Sequence, residues 1–184
     1  MISLRQALGS TVAWLVVILA SCAAPPAPGH PERVDEMCSA SCSRRAACGA
    51  DADEPSCEAD CRETGGKKRK YWRSDYVDAV SSCLRALPCG AARSASERRK
   101  VCFANSLPAP SPTAMRFANL AVSQDLSCHV FYNDPPTVAK RARDFGVYDD
   151  QVLEQMIACQ EQGCTGHDTR WQCAMNVIGD VPHY

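Results

Sequence analysis

The 184-residue chain lacks an excess of charge of either sign: 20 Lys and Arg stand against 21 Asp and Glu, a formal net charge of −1. By composition that excludes a strongly basic nucleic-acid binder. Aromatics are scarce at 7%, and there is no glycine-rich phosphate loop, so the backbone cradle used for nucleotides is missing. Gly-x-Ser-x-Gly, Cys-x2-Cys and Cys-x2-Cys-His are all absent. Their absence excludes a nucleophile elbow, a thioredoxin-like redox motif and covalent haem attachment. Histidine is limited to His30, His129, His167 and His183, none embedded in a nucleophile motif, so no catalytic residue is assigned and no enzyme is expected. The longest fully apolar run, Val12 to Ala20, has nine residues, well short of the roughly 20 a membrane-spanning helix needs. The length allows one domain or two small ones.

What the chain has in quantity is cysteine, 13 in all. At that density the compartment decides the chemistry: a disulfide framework outside the cytosol, metal or redox chemistry inside it. A short N-terminus carrying Arg5 precedes the apolar stretch, which reads as the core of a secretory signal. Leu19-Ala20-Ser21-Cys22 closes that stretch and resembles the bacterial lipobox, which implies cleavage after residue 21 and lipidation of Cys22. Two acyl chains anchor stably where one does not. Ala23, a residue other than Asp after the lipidated cysteine, points by the rule for this class to the outer membrane. Removal of residues 1–21 takes away Arg5 and leaves 19 basic against 21 acidic residues. Residues 22–31 then form a tether with four prolines between Ala23 and Pro31, an extended composition reaching roughly 28 Å at about 3.1 Å per residue.

The remaining chain reads as helices. Pro31 opens the first, with Val34, Met37, Cys38, Ser41, Cys42 and Arg45 at helical spacing. Asp53 caps a second helix bearing Cys57 and Cys61, expected to break at Gly65-Gly66. Tyr76, Val77, Val80, Cys83, Leu84 and Leu87 make an apolar stripe ended by Pro88. Ser94-Ala95-Ser96-Glu97 matches a capping box before a short helix through Val101, Cys102 and Phe103. After the linker Leu107 to Pro110, Ser111-Pro112 starts a helix presenting Met115, Phe117, Leu120 and Ala121. Asp134-Pro135-Pro136 opens another segment. Asp149 or Asp150 caps a last helix through Val152, Leu153, Met156, Ile157 and Cys159, stopped by Gly163. Period-two alternation is nowhere sustained, so the expected class is all-α: disulfide-rich helical hairpins in two small subdomains, 32–107 and 112–184.

Twelve cysteines remain after Cys22: Cys38, Cys42, Cys48, Cys57, Cys61, Cys83, Cys89, Cys102, Cys128, Cys159, Cys164 and Cys173. All are disulfide candidates, eight before the linker and four after it, so each half can close its own bridges. Two Cys-x3-Cys pairs place thiols one turn apart on successive helices. An antiparallel hairpin would pair Cys42 with Cys57 and Cys38 with Cys61; Cys48 with Cys57 and Cys42 with Cys61 fits the spacing as well. The unit Tyr76 to Cys83, followed by Cys89 and Cys102, is weakly repeated in Val152 to Cys159, followed by Cys164 and Cys173.

The lipobox, the Pro/Ala tether and the run C-x3-C-x5-C-x8-C-x3-C before a helical Cys-x5-Cys resemble the cysteine-rich lipoproteins abundant in myxobacteria and their relatives. The resemblance implies an exported, disulfide-bonded helical protein held at the cell envelope; no cofactor is expected from the motifs present. The twin Cys-x3-Cys spacing is also similar to that of mitochondrial intermembrane-space hairpins, an assignment the lipobox contradicts.

Two candidate sites remain. Cys159, Cys164, His167 and Cys173 offer thiols and an imidazole of the kind zinc takes, so the competing function is an envelope metal-binding protein or hydrolase, although the irregular spacing and an oxidising compartment favour disulfides. Lys67-Lys68-Arg69-Lys70-Tyr71-Trp72-Arg73 packs five cations around two aromatics. It is read either as a contact surface for anionic lipid, glycan or an acidic envelope protein, or as an inter-helix loop whose Trp docks on the core.

Overall fold

The computed structural model describes residues 29–50, 53–127, 137–161 and 174–178. The signal segment, Cys22, His129, Asp134-Pro135-Pro136, Gly163, His167, His183 and cysteines Cys128, Cys164 and Cys173 lie outside the described residues.

Helix α1 spans Pro31–Ala47, with Pro31 in its first turn, where no amide partner is lost, and Glu32 favourably placed against the helix dipole. It buries Val34, Met37, Cys38, Ala40 and Cys42. Gly49, at φ 64°, reverses the chain after it, a left-handed conformation suited to glycine. Helix α2 spans Glu54–Arg69. The Asp53 carboxylate accepts from the Ser56 amide at 3.1 Å, and the Ser56 hydroxyl and amide together hold that carboxyl below its ordinary range.

Gly65-Gly66 does not break α2. The helix runs four residues past Gly65, and Gly65 is its one buried position. A Cβ there would collide with the Arg69 guanidinium, so the missing side chain makes room for a contact that offsets part of glycine's poor helix propensity of about 1 kcal/mol.

Helix α3, Ser74–Ala86, buries Tyr76, Val77, Val80, Ser81 and Leu84 on one stripe, and Leu87-Pro88 ends it in extended backbone. Helix α4 is Cys89–Ala92 and α5 is Ala95–Arg98. Ser94 accepts from the Glu97 amide at 3.3 Å, half of the expected capping box. The segment expected as a plain helix through Cys102 is a π-helical turn, Arg99–Phe103.

Helix α6, Pro112–Ser127, is capped by Ser111 and buries Ala114, Phe117, Ala118 and Ala121, leaving Met115 exposed. Thr137 caps α7, Val138–Phe145. Helix α8, Asp150–Gln160, buries Val152, Leu153, Met156, Ile157 and Cys159. The Asp149 side chain makes no cap bond to α8. It pairs instead with Arg33 of α1 at 2.6 Å.

The fold is all-α. Helix α1 lies between α2 and α3, and α6 packs on α7 and α8. A single hydrophobic cluster joins the two groups, running from Met37, Val80 and Leu84 to Phe117, Leu153 and Met156. The chain links them as well: an antiparallel bridge pairs Trp72 with Tyr148, the Arg73 amide donating to the Val147 carbonyl at 2.8 Å and the Asp149 amide to the Tyr71 carbonyl at 3.0 Å.

Disulfides join Cys38 to Cys61 and Cys42 to Cys57, with Cα atoms 5.7 and 5.8 Å apart. This is the antiparallel-hairpin pairing, and it leaves Cys48 free to reach Cys89 across 41 residues. Cys83 joins Cys102. The eight cysteines before the linker therefore pair among themselves, although Cys89, counted in the repeat with Cys83 and Cys102, bonds outside that unit. Cys159 is also disulfide-bonded.

Candidate functional site

Because α2 continues to Arg69, the basic run does not begin in a loop. Its first three cations sit in a helical turn, where successive side chains point to different faces. Lys67 and Lys68 are exposed. Arg69 turns inward, its guanidinium 5.8 Å from the ring centroids of both Trp72 and Phe103. Tyr71 is buried, with Lys70 Nζ 4.8 Å from its ring. Trp72 is half-buried and packs on Tyr76 at 5.1 Å and Phe103 at 6.2 Å. Arg73 is held by Asp75 at 2.6 Å and by the Ala109 carbonyl at 3.2 Å. The seven residues are thus not one surface: the aromatics and Arg69 belong to the interior, and Lys67 and Lys68 face solvent.

The inward half of the run opens onto a cleft of about 560 Å³ beneath α2. Helix α2 forms one wall, the α5–π segment the other, and side chains of α1 and α3 the floor. The cleft exists because α2 brings no apolar stripe to fill it. Its lining includes Arg45, Arg69, Arg98, Arg99, Trp72 and Phe103. Arg45 donates to the Cys57 sulfur at 3.1 Å and Arg69 to the Cys61 sulfur at 3.6 Å, so the two staples also position two of the cations. The π-helical turn brings Arg99 and Phe103 to the opposite wall, and such turns recur at functional sites.

The electrostatics are lopsided. Burial pushes the Arg69 guanidinium's proton affinity down, Tyr76 opposing this and Arg99 adding to it. Burial, then the nearby Arg45, does the same to Arg98. Tyr76, on the floor, is pushed up to about 12 by burial, with Arg69 opposing and Tyr148 reinforcing; its hydroxyl donates to the Phe103 carbonyl at 3.1 Å.

Of the metal-type set, only Cys159 lies among the described residues, and its disulfide removes the thiolate a metal would take. Among the described residues, no group of three or more His, Cys, Asp or Glu is placed to hold an ion, and no helix is long and apolar enough to cross a membrane. The sequence pointed to Arg69 and Trp72 but not to Arg45, Arg98 or Arg99. These come from separate helices, with no shared motif; the only signal was the presence of basic residues beside Cys48 and Cys102.

Comparison with known proteins finds no matching family model, no matching curated protein and no matching solved structure.

Proposed function

We propose that the protein is an exported lipoprotein of the cell envelope, held by lipid on Cys22 and acting there as a disulfide-braced binding module. The observation that carries this reading is the bridging itself: eight cysteines close four cross-links within residues 38–102. Such density belongs to oxidising compartments, where a framework of this kind persists. The lipobox-like Leu19-Ala20-Ser21-Cys22 and the proline-rich tether supply the anchor and the spacing from the bilayer, and Ala23 favours the outer membrane. Binding, in preference to catalysis, is supported by a cleft rich in cationic and aromatic side chains.

The test is chemical. Mass spectrometry of the mature N-terminal peptide should find Cys22 as the first residue with acyl chains attached, and the protein should fractionate with membranes. Cys22→Ala should abolish both. A mature protein that begins elsewhere or carries an unmodified Cys22, or cysteines 38–102 recovered as free thiols, would overturn the reading.

A further inference from the structure

We propose that the cleft beneath α2 is a binding site for a phosphomonoester carried on an apolar body. The first ground is uncompensated charge. Away from the cleft, Arg33, Arg62, Arg73, Arg85, Arg116 and Arg141 each sit within ion-pair distance of a carboxylate. Arg45, Arg69, Arg98 and Arg99, the four that line the cleft, pair with no carboxylate among the described residues, and Asp60 is the one acidic side chain in the lining. Arg44 and Arg93 bind backbone carbonyls instead, but only in the cleft do four arginines without a carboxylate partner among the described residues surround one cavity, which leaves a place for an anion.

The second ground is unmet hydrogen bonding. Arg45 Nε and the Trp72 indole Nε1 are both buried without an acceptor, and both residues line the cleft. Buried donors are ordinarily paired, so two orphans at one cavity call for oxygen acceptors inside it. The lowered proton affinity of Arg69 and Arg98 has the same origin: cations withdrawn from water with cations for neighbours.

The form of the ligand follows from the donors and walls. Guanidinium forks match phosphate oxygens in pairs, and several of them suit a dianion better than a singly charged carboxylate. Trp72, Phe103 and Met37 give the remainder of the lining an apolar character, a surface for an aromatic or acyl group next to the charge. A volume of about 560 Å³ is that of a small-molecule site. The same chemistry is found in a soluble aryl phosphate and in a phospholipid with a monoester headgroup.

Isothermal titration of the oxidised full-length protein in nonionic detergent tests this with four probes: 1-naphthyl phosphate, dihexanoyl phosphatidic acid, inorganic phosphate and 1-naphthol. The two phosphomonoesters should bind, inorganic phosphate about tenfold more weakly, and 1-naphthol not measurably. Tighter binding of the phosphatidic acid would identify a lipid source, and tighter binding of the naphthyl ester a soluble one. Arg45→Gln and Arg98→Gln should each weaken binding about tenfold, while Arg116→Gln, on an exposed residue paired with Glu154, should leave it unchanged. Circular dichroism and disulfide mapping establish that the variants are folded. If they are not, loss of wild-type binding with added salt and the preference for naphthyl phosphate over naphthol carry the test. Absence of binding by the wild type, equal affinity for naphthol, or full affinity in folded Arg45→Gln and Arg98→Gln would overturn the proposal.

Discussion

The guanidinium of Arg69 occupies the space that a Cβ on Gly65 would need, one turn earlier on the same helix. Gly65→Ala should therefore move Arg69 away from Trp72 and Phe103. The gain in helix propensity, about 1 kcal/mol, is of the same size as a cation–π contact, about 0.5–2 kcal/mol, so the melting temperature should change little. The Trp72 indole N–H resonance should shift clearly. Gly66→Ala, which meets nothing within 4 Å, should gain stability without moving that resonance. An unmoved Trp72 signal in Gly65→Ala would show that Arg69 does not lie there.

The two hairpin staples hold a helix that packing barely holds, since α2 buries only Gly65. The Cys42–Cys57 bridge closes a separation of 15 residues, a constraint of about 3 kcal/mol in the chain-entropy picture. Replacing Cys38, Cys42, Cys57 and Cys61 together by Ala should release residues 54–64 while α3, α6 and α8 stay folded. Hydrogen exchange should show fast amides in that segment alone. Uniform loss of protection across all helices would mean the hairpin is integral to the core.

Arg141 of α7 is buried and ion-paired with Asp125 of α6. Removing one partner of a buried ion pair costs about 3–5 kcal/mol. Asp125→Ala should lower stability by an amount of that order in chemical denaturation, whereas Asp144→Ala, which breaks the exposed pair with Lys140, should cost about 0–1 kcal/mol. Equal effects would place Arg141 in contact with water.

Tyr76 gives the fold a dependence on alkaline pH. Burial raises its phenol from the ordinary 10.0 to about 12, so the native state keeps a proton that the unfolded chain gives up. Below pH 10 both states are protonated and the stabilisation is fully present; between pH 10 and 12 only the unfolded chain ionises, and stability falls by about 2 kcal/mol. Tyr76→Phe should be less stable at neutral pH through loss of the bond to the Phe103 carbonyl, yet its stability should fall less steeply between those pH values. A parallel fall in both proteins would exclude Tyr76 as the source.

Much of the framework was legible because cysteine spacing and helical spacing reinforce each other. Cys38, Cys42, Cys57 and Cys61 can meet in pairs only if two helices fold back, although the spacing left Cys48 as a competitor for Cys57 until its position at the end of α1 put it against Cys89. Pattern failed where a residue's role depends on a neighbour far along the chain. Gly65-Gly66 reads as a break unless Arg69 is known to lie over Gly65, and Asp149, which does hold the N-cap position of α8, reads as a side-chain cap unless Arg33 is known to claim its carboxylate. Of the apolar residues named on α6, Phe117 and Ala121 are buried and Met115 is exposed, because the inward stripe runs through Ala114, Phe117, Ala118 and Ala121. The cleft was illegible for the same reason: Arg45, Arg69 and Arg98 are gathered by the hairpin and the Cys83–Cys102 bridge, and no local motif records that meeting.

A helix fastened by sulfur has unusual mutational latitude. Ordinary surface helices must preserve an apolar stripe, and each change on that stripe is tested against the core. On α2 the obligations reduce to two cysteines, one glycine and the residues facing the cleft, so exposed positions such as Ala59, Glu63 and Lys67 can be rewritten with small effects on folding. The outer face of this helix is where divergence should accumulate fastest, and where new surface chemistry can be grafted with least disturbance to the fold.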